Sequence, residues 1–114
     1  QVLFYPVITM DKSFTHLGSH DNLLGKDASQ ELEDLYSNEK QVTKDTPRAY
    51  IAFSDDDDAV PTKNGALYYL ALKENNVPAS FFIYPSGGHG WGSRKDFKYN
   101  KEMLQDLEAW LLSF

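Results

Sequence analysis

An acidic run and a glycine-flanked histidine are the parts of this sequence whose side chains could carry out acid–base chemistry together. Four consecutive aspartates occupy residues 55–58, and His89 lies further along the chain between Gly88 and Gly90. A histidine acts as a general base when a nearby carboxylate orients its ring through a hydrogen bond. We therefore expect one of these aspartates to pair with His89. The alternative is that the aspartates are solvated loop residues and the histidine lies on a flexible surface turn.

Two hypotheses for a metal site come from the same residue types. His16 and His20 are spaced so that they would share one face of a helix, with Asp21 beside them, and such a pair can bind a metal. Gly18 between them weakens a helix and favours a polar loop instead. The acidic run lacks the glycine and glutamate positions of an EF-hand calcium loop. We therefore predict neither a bound metal nor another cofactor.

No serine in the chain has the setting of an activated nucleophile. A serine on a tight turn between a strand and a helix usually occurs as Gly-x-Ser-x-Gly, and the 114 residues contain no such pattern. Ser86 lacks the first glycine and follows the wrong kind of strand, so we do not expect it to be a nucleophile. The absence of cysteine excludes thiol catalysis, disulfides and cysteine-based zinc sites.

Strands and helices that must position these side chains alternate along the chain. Apolar β-prone runs predict three strands, and amphipathic patterns with start and stop signals predict three helices. This alternation predicts an α/β layer with a parallel sheet, in which the acidic run and His89 follow neighbouring strands at the edge where such proteins place their ligands. The predicted strands are residues 2–8, 49–53 and 80–84, and the predicted helices are residues 28–36, 62–75 and 100–113.

The same patterns predict which helix residues face the core. Residues 9–26 have no clean periodicity and predict irregular structure. Asp27 is expected to cap the first helix, and Glu33 is expected to face water. The residues expected in the core are Leu32, Leu35 and Tyr36 on the first helix, Leu67, Leu70 and Ala71 on the second, and Met103, Leu104, Leu107, Trp110, Leu111 and Phe114 on the third.

Composition limits the classes of protein to which the chain can belong. A length of 114 residues, 41% hydrophobic and 14% aromatic residues predict one globular domain at most. The net charge of −6 makes nucleic acid a poor partner, and no apolar run is long enough to span a membrane. The chain begins directly in a predicted strand, without an initiator Met or a visible signal peptide, which indicates either a mature or trimmed N-terminus or a piece of a longer protein. Its localisation stays open.

Residues 53–61 and 84–91 together resemble the acid loop and the histidine loop of the α/β-hydrolase superfamily. The most similar group is that of the esterases related to acetyl-xylan and other carbohydrate esterases, some members of which carry an endo-xylanase label. The acid loop of this group has the pattern Asp-x-x-Val-Pro, which residues 57–61 match. The resemblance therefore implies that Asp57 is the acid of a catalytic triad and His89 its general base. Further similarity covers the strand at residues 2–8 and a cap-like insert at residues 22–25 and 35–39.

This resemblance implies that residues 1–114 are the C-terminal part of one α/β-hydrolase domain. That part would contain about three parallel strands with crossover helices, a cap-like helical insert over residues 9–47, and the acid and histidine loops within residues 48–114. The order serine, acid, histidine along the chain places the nucleophile and the oxyanion hole upstream of these residues. We therefore expect the piece alone to be inactive, and its exposed strand edge to favour a dimer or strand exchange.

Serine-type hydrolysis of carbohydrate esters, with acetyl-xylan as the leading substrate, is the function that the resemblance implies. One alternative is a xylan-degrading glycoside hydrolase, which needs two carboxylates about 5–9.5 Å apart across a sugar ring. Adjacent aspartates in one loop do not supply that arrangement. A second alternative is a non-catalytic module that stacks sugar on Tyr5, Tyr84, Trp91 and Phe97, although these aromatics are more simply core or loop residues. A peptidase on the same scaffold also stays open.

Overall fold

A parallel three-stranded sheet is the centre of the computed structural model, which describes all 114 residues. Strands β1 (Val2–Phe4), β2 (Ala49–Ser54) and β3 (Ala79–Tyr84) lie in the order β1-β2-β3. Around them lie helices α1 (Leu17–Leu24), α2 (Gln30–Tyr36), α3 (Lys63–Glu74) and α4 (Asn100–Leu111), with a short 3₁₀ helix at Asn38–Lys40. The predicted α/β architecture with parallel strands is therefore confirmed.

Strand β2 is central, and both of its faces are covered. All six of its residues are buried, and because side chains alternate along a strand they feed two separate clusters. Ile51 and Phe53 pack against α3, whereas Tyr50 and Ala52 pack against α4 and the loop after β3. A continuous apolar run such as Ala-Tyr-Ile-Ala-Phe is typical of a strand covered on both faces. This burial fixes the start of the loop that carries the acidic run.

Strand β1 is shorter than the predicted strand over residues 2–8. It ends at Phe4 because Tyr5 has φ 40°, a left-handed backbone, and Pro6 has no N–H for a further rung. The Tyr5 N–H still donates to Ala52 O at 2.7 Å. Beyond the strand, the backbone is held by Asn64 at the start of α3, whose Oδ1 accepts from the N–H groups of Ile8 and Thr9 at 3.1 Å each.

The prediction of irregular structure over residues 9–26 was wrong, since α1 lies within them. His16 caps this helix, and its Nδ1 accepts from the N–H of Ser19. The cap of α2 is also different: Ser29, and not Asp27, accepts from the first turn. Hydrophobic periodicity missed α1 because the side chain that anchors it is a polar one, the buried His20.

Several residues predicted to lie in the core are exposed. On α2, Leu35 is 60% exposed and Tyr36 44%, whereas Glu33 is buried. The reason is an ion-pair contact between Glu33 and His20, which turns the polar face of α2 inward. On α3 the face that packs on the core is the one next to the predicted face. Leu70 is therefore exposed, and the buried residues are Asn64, Gly65, Tyr68 and Leu72.

Helix α4 buries only part of its predicted apolar stripe. Met103 is fully buried, and Leu107 and Trp110 are partly buried against the cluster that contains Tyr50 and Ala52 of β2. The outer residues Leu104, Leu111 and Phe114 stay exposed because a sheet of three strands offers α4 only a narrow surface. None of the helices combines the length and the apolar character that crossing a membrane requires.

Candidate active site

The loops that follow β2 and β3 bring Asp57 and His89 into contact. The two strands are parallel neighbours, paired in register from Ala49 with Ala79, so their carboxyl ends lie at the same edge of the sheet. His89 Nδ1 lies 2.9 Å from Asp57 Oδ2. This is the contact that an acid needs in order to orient a general base.

Asp57 is held rigidly by its own loop. Its side chain is fully buried, and its second oxygen, Oδ1, accepts from the N–H groups of Ala59 at 3.0 Å and Val60 at 2.9 Å. An ionised carboxylate can only accept hydrogen bonds. The hydrogen bond between Asp57 and His89 therefore requires a proton on His89 Nδ1. The neutral ring then has its lone pair on Nε2, which makes no hydrogen bond within the chain. Nε2 is therefore the atom able to take a proton from a substrate or a nucleophile.

A glycine pair makes the sharp approach to His89 possible. Gly87 has φ 147°, and a Cβ there would lie 2.5 Å from the Phe97 ring and 2.8 Å from Ser54 Oγ. Gly88 has φ 60°, a left-handed backbone that costs little only for glycine. Asp56 Oδ1 accepts from both of their N–H groups, at 2.9 Å from Gly87 and 2.8 Å from Gly88. The acid loop thus contacts the histidine loop through two successive aspartates.

One aromatic ring packs against the imidazole, and further aromatic rings pack behind it. The Tyr5 ring lies 4.4 Å from the His89 ring, centroid to centroid, and also contacts Trp91 edge-on. Trp91 is buried and stacks on Phe97 at 4.2 Å with an angle of 8° between the planes. Tyr84 belongs to the same buried cluster. Of the four aromatics considered for sugar stacking, only Tyr5 therefore reaches the surface, and it does so against His89.

An open depression of about 240 Å³ adjoins His89. His89 lines this depression and its side chain is 35% exposed to solvent, so the ring can meet another group. Ser86 lines the depression but makes no hydrogen bond with His89. The remaining lining residues are Gly87, Trp91, Arg94, Asp96, Phe97 and Lys98.

The other histidines have separate roles. His20 is fully buried, with Nδ1 2.9 Å from Asp21 Oδ1 and Nε2 2.8 Å from Glu33 Oε1. Hydrogen bonds to Asp21 and then Glu33 raise the pKa of His20. Burial of the ring, and to a smaller extent Lys12, 3.5 Å from the Glu33 oxygen, oppose this increase only in part. His16 serves as the cap of α1. No three His, Asp or Glu side chains of the structure are grouped as a metal site requires.

The resemblance to the acid loop of the α/β-hydrolases selected Asp57 from the acidic run, and neither it nor the residue pattern pointed to the contact of Asp56. The signal that could have pointed to it is indirect: two consecutive glycines before His89 present two N–H groups that need an acceptor. Nothing in four identical side chains distinguishes the one that supplies it. The structure separates them by their hydrogen bonds: Asp56 and Asp57 contact the histidine loop, whereas the carboxylates of Asp55 and Asp58 make no hydrogen bond.

The family model described as the prolyl oligopeptidase family, peptidase S9, matches residues 2–113. The chain belongs to the prolyl oligopeptidase family. A crystal structure of an acetyl ester-xyloside bifunctional hydrolase from Caldicellulosiruptor lactoaceticus superposes with a TM-score of 0.92 at 38% identity, over 98% of this chain and 41% of that chain. A carboxylesterase from Lactobacillus plantarum shares the fold at a TM-score of 0.73 and 24% identity, over 97% of this chain and 42% of its own. The predicted α/β-hydrolase architecture is therefore confirmed.

Two curated relatives of this member of the family are considerably longer. An acetylxylan esterase from Xylanibacter ruminicola is 44% identical over 116 residues, which are 98% of this chain and 24% of the relative. An endo-1,4-beta-xylanase B from Butyrivibrio fibrisolvens is 38% identical over 89 residues, which are 78% of this chain and 14% of the relative. The chain thus spans about a quarter or less of the curated relatives that it matches.

Proposed function

We propose that this chain supplies the acid and the general base of a serine esterase that removes acyl groups from carbohydrates, with acetylated xylan as the leading substrate class. The observation that carries the proposal is the contact of 2.9 Å between His89 Nδ1 and the buried Asp57. Membership of a family of hydrolases supports the reaction class. Identity of 44% to an acetylxylan esterase supports the substrate class.

The proposed reaction begins at the free nitrogen of His89. Nε2 takes the proton of a serine hydroxyl while the serine oxygen forms a bond to the ester carbonyl carbon. Asp57 holds the ring in the tautomer with a proton on Nδ1 and stabilises the imidazolium that forms. His89 then gives its new proton to the alcohol oxygen of the sugar as the ester bond breaks. Water repeats the two steps on the acyl-enzyme and releases the acid, acetic acid in the case of an acetyl ester.

We infer that the serine and the oxyanion-hole donors come from further residues of the same protein. The chain order of this fold, serine before acid before histidine, places them ahead of the acid loop. The length of the relatives leaves room for such residues, since the match to the acetylxylan esterase covers 24% of that protein. We therefore expect the 114 residues alone to show no esterase activity.

A second candidate function is cleavage of the xylan chain itself. Two relatives favour it by their names, the endo-1,4-beta-xylanase B and the acetyl ester-xyloside bifunctional hydrolase. Against it, the carboxylates of the acidic run lie in one loop, where Asp57 contacts His89 and Asp56 contacts backbone N–H groups. Only 14% of the xylanase takes part in its match, so most of that protein lies outside the compared region. We therefore rank ester hydrolysis first.

The test measures acetate release and shortening of the xylan polymer in parallel. It uses acetylated xylan and the complete protein that contains these 114 residues. We expect acetate release, and we expect His89→Ala to reduce its kcat by at least about 10³-fold. Asp58→Ala is the matched control, because it removes an exposed carboxylate of the same loop that makes no hydrogen bond. Release of shorter xylan chains without acetate, or full activity of His89→Ala, would contradict the proposal.

A further inference from the structure

We infer that Asp56 is a positioning residue for His89, because its carboxylate ties the backbone before the histidine to the acid loop. The inference rests on the proposed function, in which His89 is the general base. It concerns a residue that does not touch the reacting atoms and acts only through the histidine loop.

The contact is a bridge from one oxygen to two successive peptide groups. Asp56 Oδ1 accepts from Gly87 N at 2.9 Å and from Gly88 N at 2.8 Å, and these are the two residues directly before His89. A charged acceptor makes each bond stronger than one between neutral groups. Because both bonds end on the same oxygen, they fix the direction of the backbone as well as its distance from the acid loop.

The loop has no other hydrogen bond that holds it at this point. The backbone of residues 85–90 makes no hydrogen bond other than these two. Two glycines there have more conformational freedom to lose than any other residues. Without Asp56, the contact of Asp57 with the imidazole would be the one polar restraint on a flexible segment. Asp56 therefore restrains the backbone, and Asp57 restrains the ring.

The acid loop holds the histidine loop at three successive positions. The N–H of Asp55 donates to Tyr84 O at 2.8 Å, which continues the pairing of β2 with β3. The next residue, Asp56, holds the glycine pair, and the one after it, Asp57, holds His89. This order explains how a part-exposed histidine keeps its alignment. It also separates Asp56 from Asp55 and Asp58, whose carboxylates make no hydrogen bond.

The test is a set of three variants in the complete protein, Asp56→Ala, Asp56→Asn and Asp58→Ala. A small misplacement of a catalytic group can cost about 10²-fold in rate, so we expect Asp56→Ala to lower kcat by roughly 10- to 100-fold. KM should stay within about twofold, since the residue does not bind substrate. Asp56→Asn keeps a carbonyl oxygen as acceptor and should restore kcat to within about threefold of the parent protein. Asp58→Ala should behave like the parent protein.

Amide hydrogen exchange of the peptide containing residues 85–90 gives a readout that does not depend on catalysis. We expect faster exchange of this peptide in Asp56→Ala, and unchanged exchange in Asp56→Asn and Asp58→Ala. Equal kcat and equal exchange in Asp56→Ala and Asp58→Ala would overturn the inference, and so would equal losses of kcat in Asp56→Ala and Asp56→Asn. If the parent protein hydrolyses no ester, the proposed function fails, whereas the exchange data still decide whether Asp56 restrains the loop.

Discussion

Replacing Asp57 with asparagine is the change whose outcome the structure predicts most sharply. The amide has nearly the same shape as the carboxylate, so the fully buried site can accept it. Oδ1 accepts from the N–H groups of Ala59 and Val60, which require an oxygen at that position. The amide nitrogen must then face His89 Nδ1 and donate to it. This forces the ring proton onto Nε2, where it blocks general-base catalysis.

The size of the effect follows from the same two backbone contacts. Rotating the amide to restore the productive tautomer would leave two backbone donors without an acceptor, at about 1–3 kcal/mol each. At the lower limit of about 2 kcal/mol in total, the rotated form is populated to only about 3%, since about 1.4 kcal/mol is a factor of ten. Loss of the productive tautomer with intact geometry costs about 10⁴-fold in serine proteases. We therefore expect Asp57→Asn to lower kcat by between about 30-fold and 10⁴-fold.

The assay is hydrolysis of p-nitrophenyl acetate and of acetylated xylan by the complete protein and its Asp57→Asn variant. Asp58→Asn serves as the control, because it makes the same chemical change on an exposed side chain of the same loop. Nitrogen NMR of His89 reports the tautomer directly and should show the proton on Nε2 in Asp57→Asn. A variant that keeps more than a tenth of the parent kcat would refute the reasoning about the locked amide.

Three further predictions concern the body of the protein. The Asn64 side chain accepts from two buried N–H groups, and Asn64→Ala leaves both without an acceptor. We expect urea unfolding to show that the free energy of unfolding falls by about 2–5 kcal/mol. A decrease under about 1 kcal/mol would contradict this. The pKa of His20 is raised by its carboxylate partners, so its charged form adds stability that is complete below about pH 6.5 and is lost as the pH rises through the raised value. Thermal unfolding of His20→Gln should lack this fall as the pH rises above about 6.5, and identical slopes in both proteins would speak against it. The 114 residues prepared alone should self-associate through their open strand edges and the exposed apolar face of α4, and a monomer at high concentration in light scattering would exclude this.

The parts of the fold that the sequence predicted are those governed by apolar runs. The second predicted strand, residues 49–53, matches β2 because a strand buried on both faces shows as an unbroken apolar segment. The approach of the acidic run to His89 followed from placing both at the carboxyl ends of neighbouring parallel strands, whereas the choice of Asp57 within the run came from the resemblance to the acid loop of the α/β-hydrolases. Hydrophobic patterning and topology therefore sufficed to locate the candidate site, while the catalytic role of the pair stays a prediction.

The parts that could not be predicted depend on polar groups that are buried. The position of helix α1 and the orientation of α2 follow from the contact of His20 with Glu33. A pattern that places charged residues in water misses this helix and turns α2 the wrong way. The end of β1 depends on the left-handed backbone of Tyr5, a conformation that its residue type does not suggest. The role of Asp56 depends on which carboxylate of four meets the glycine pair, and this is a property of the loop geometry alone.

The most direct measurement is labelling of the complete protein with a fluorophosphonate, followed by mass spectrometry of the modified peptide. Such a reagent reacts with a serine that a neighbouring base activates. We predict a single labelled serine outside the 114 residues, with labelling that slows at least about 10²-fold in His89→Ala and not in Asp58→Ala. A label on Ser86, or labelling that His89→Ala leaves unchanged, would contradict the assignment of His89 as the base of a serine esterase.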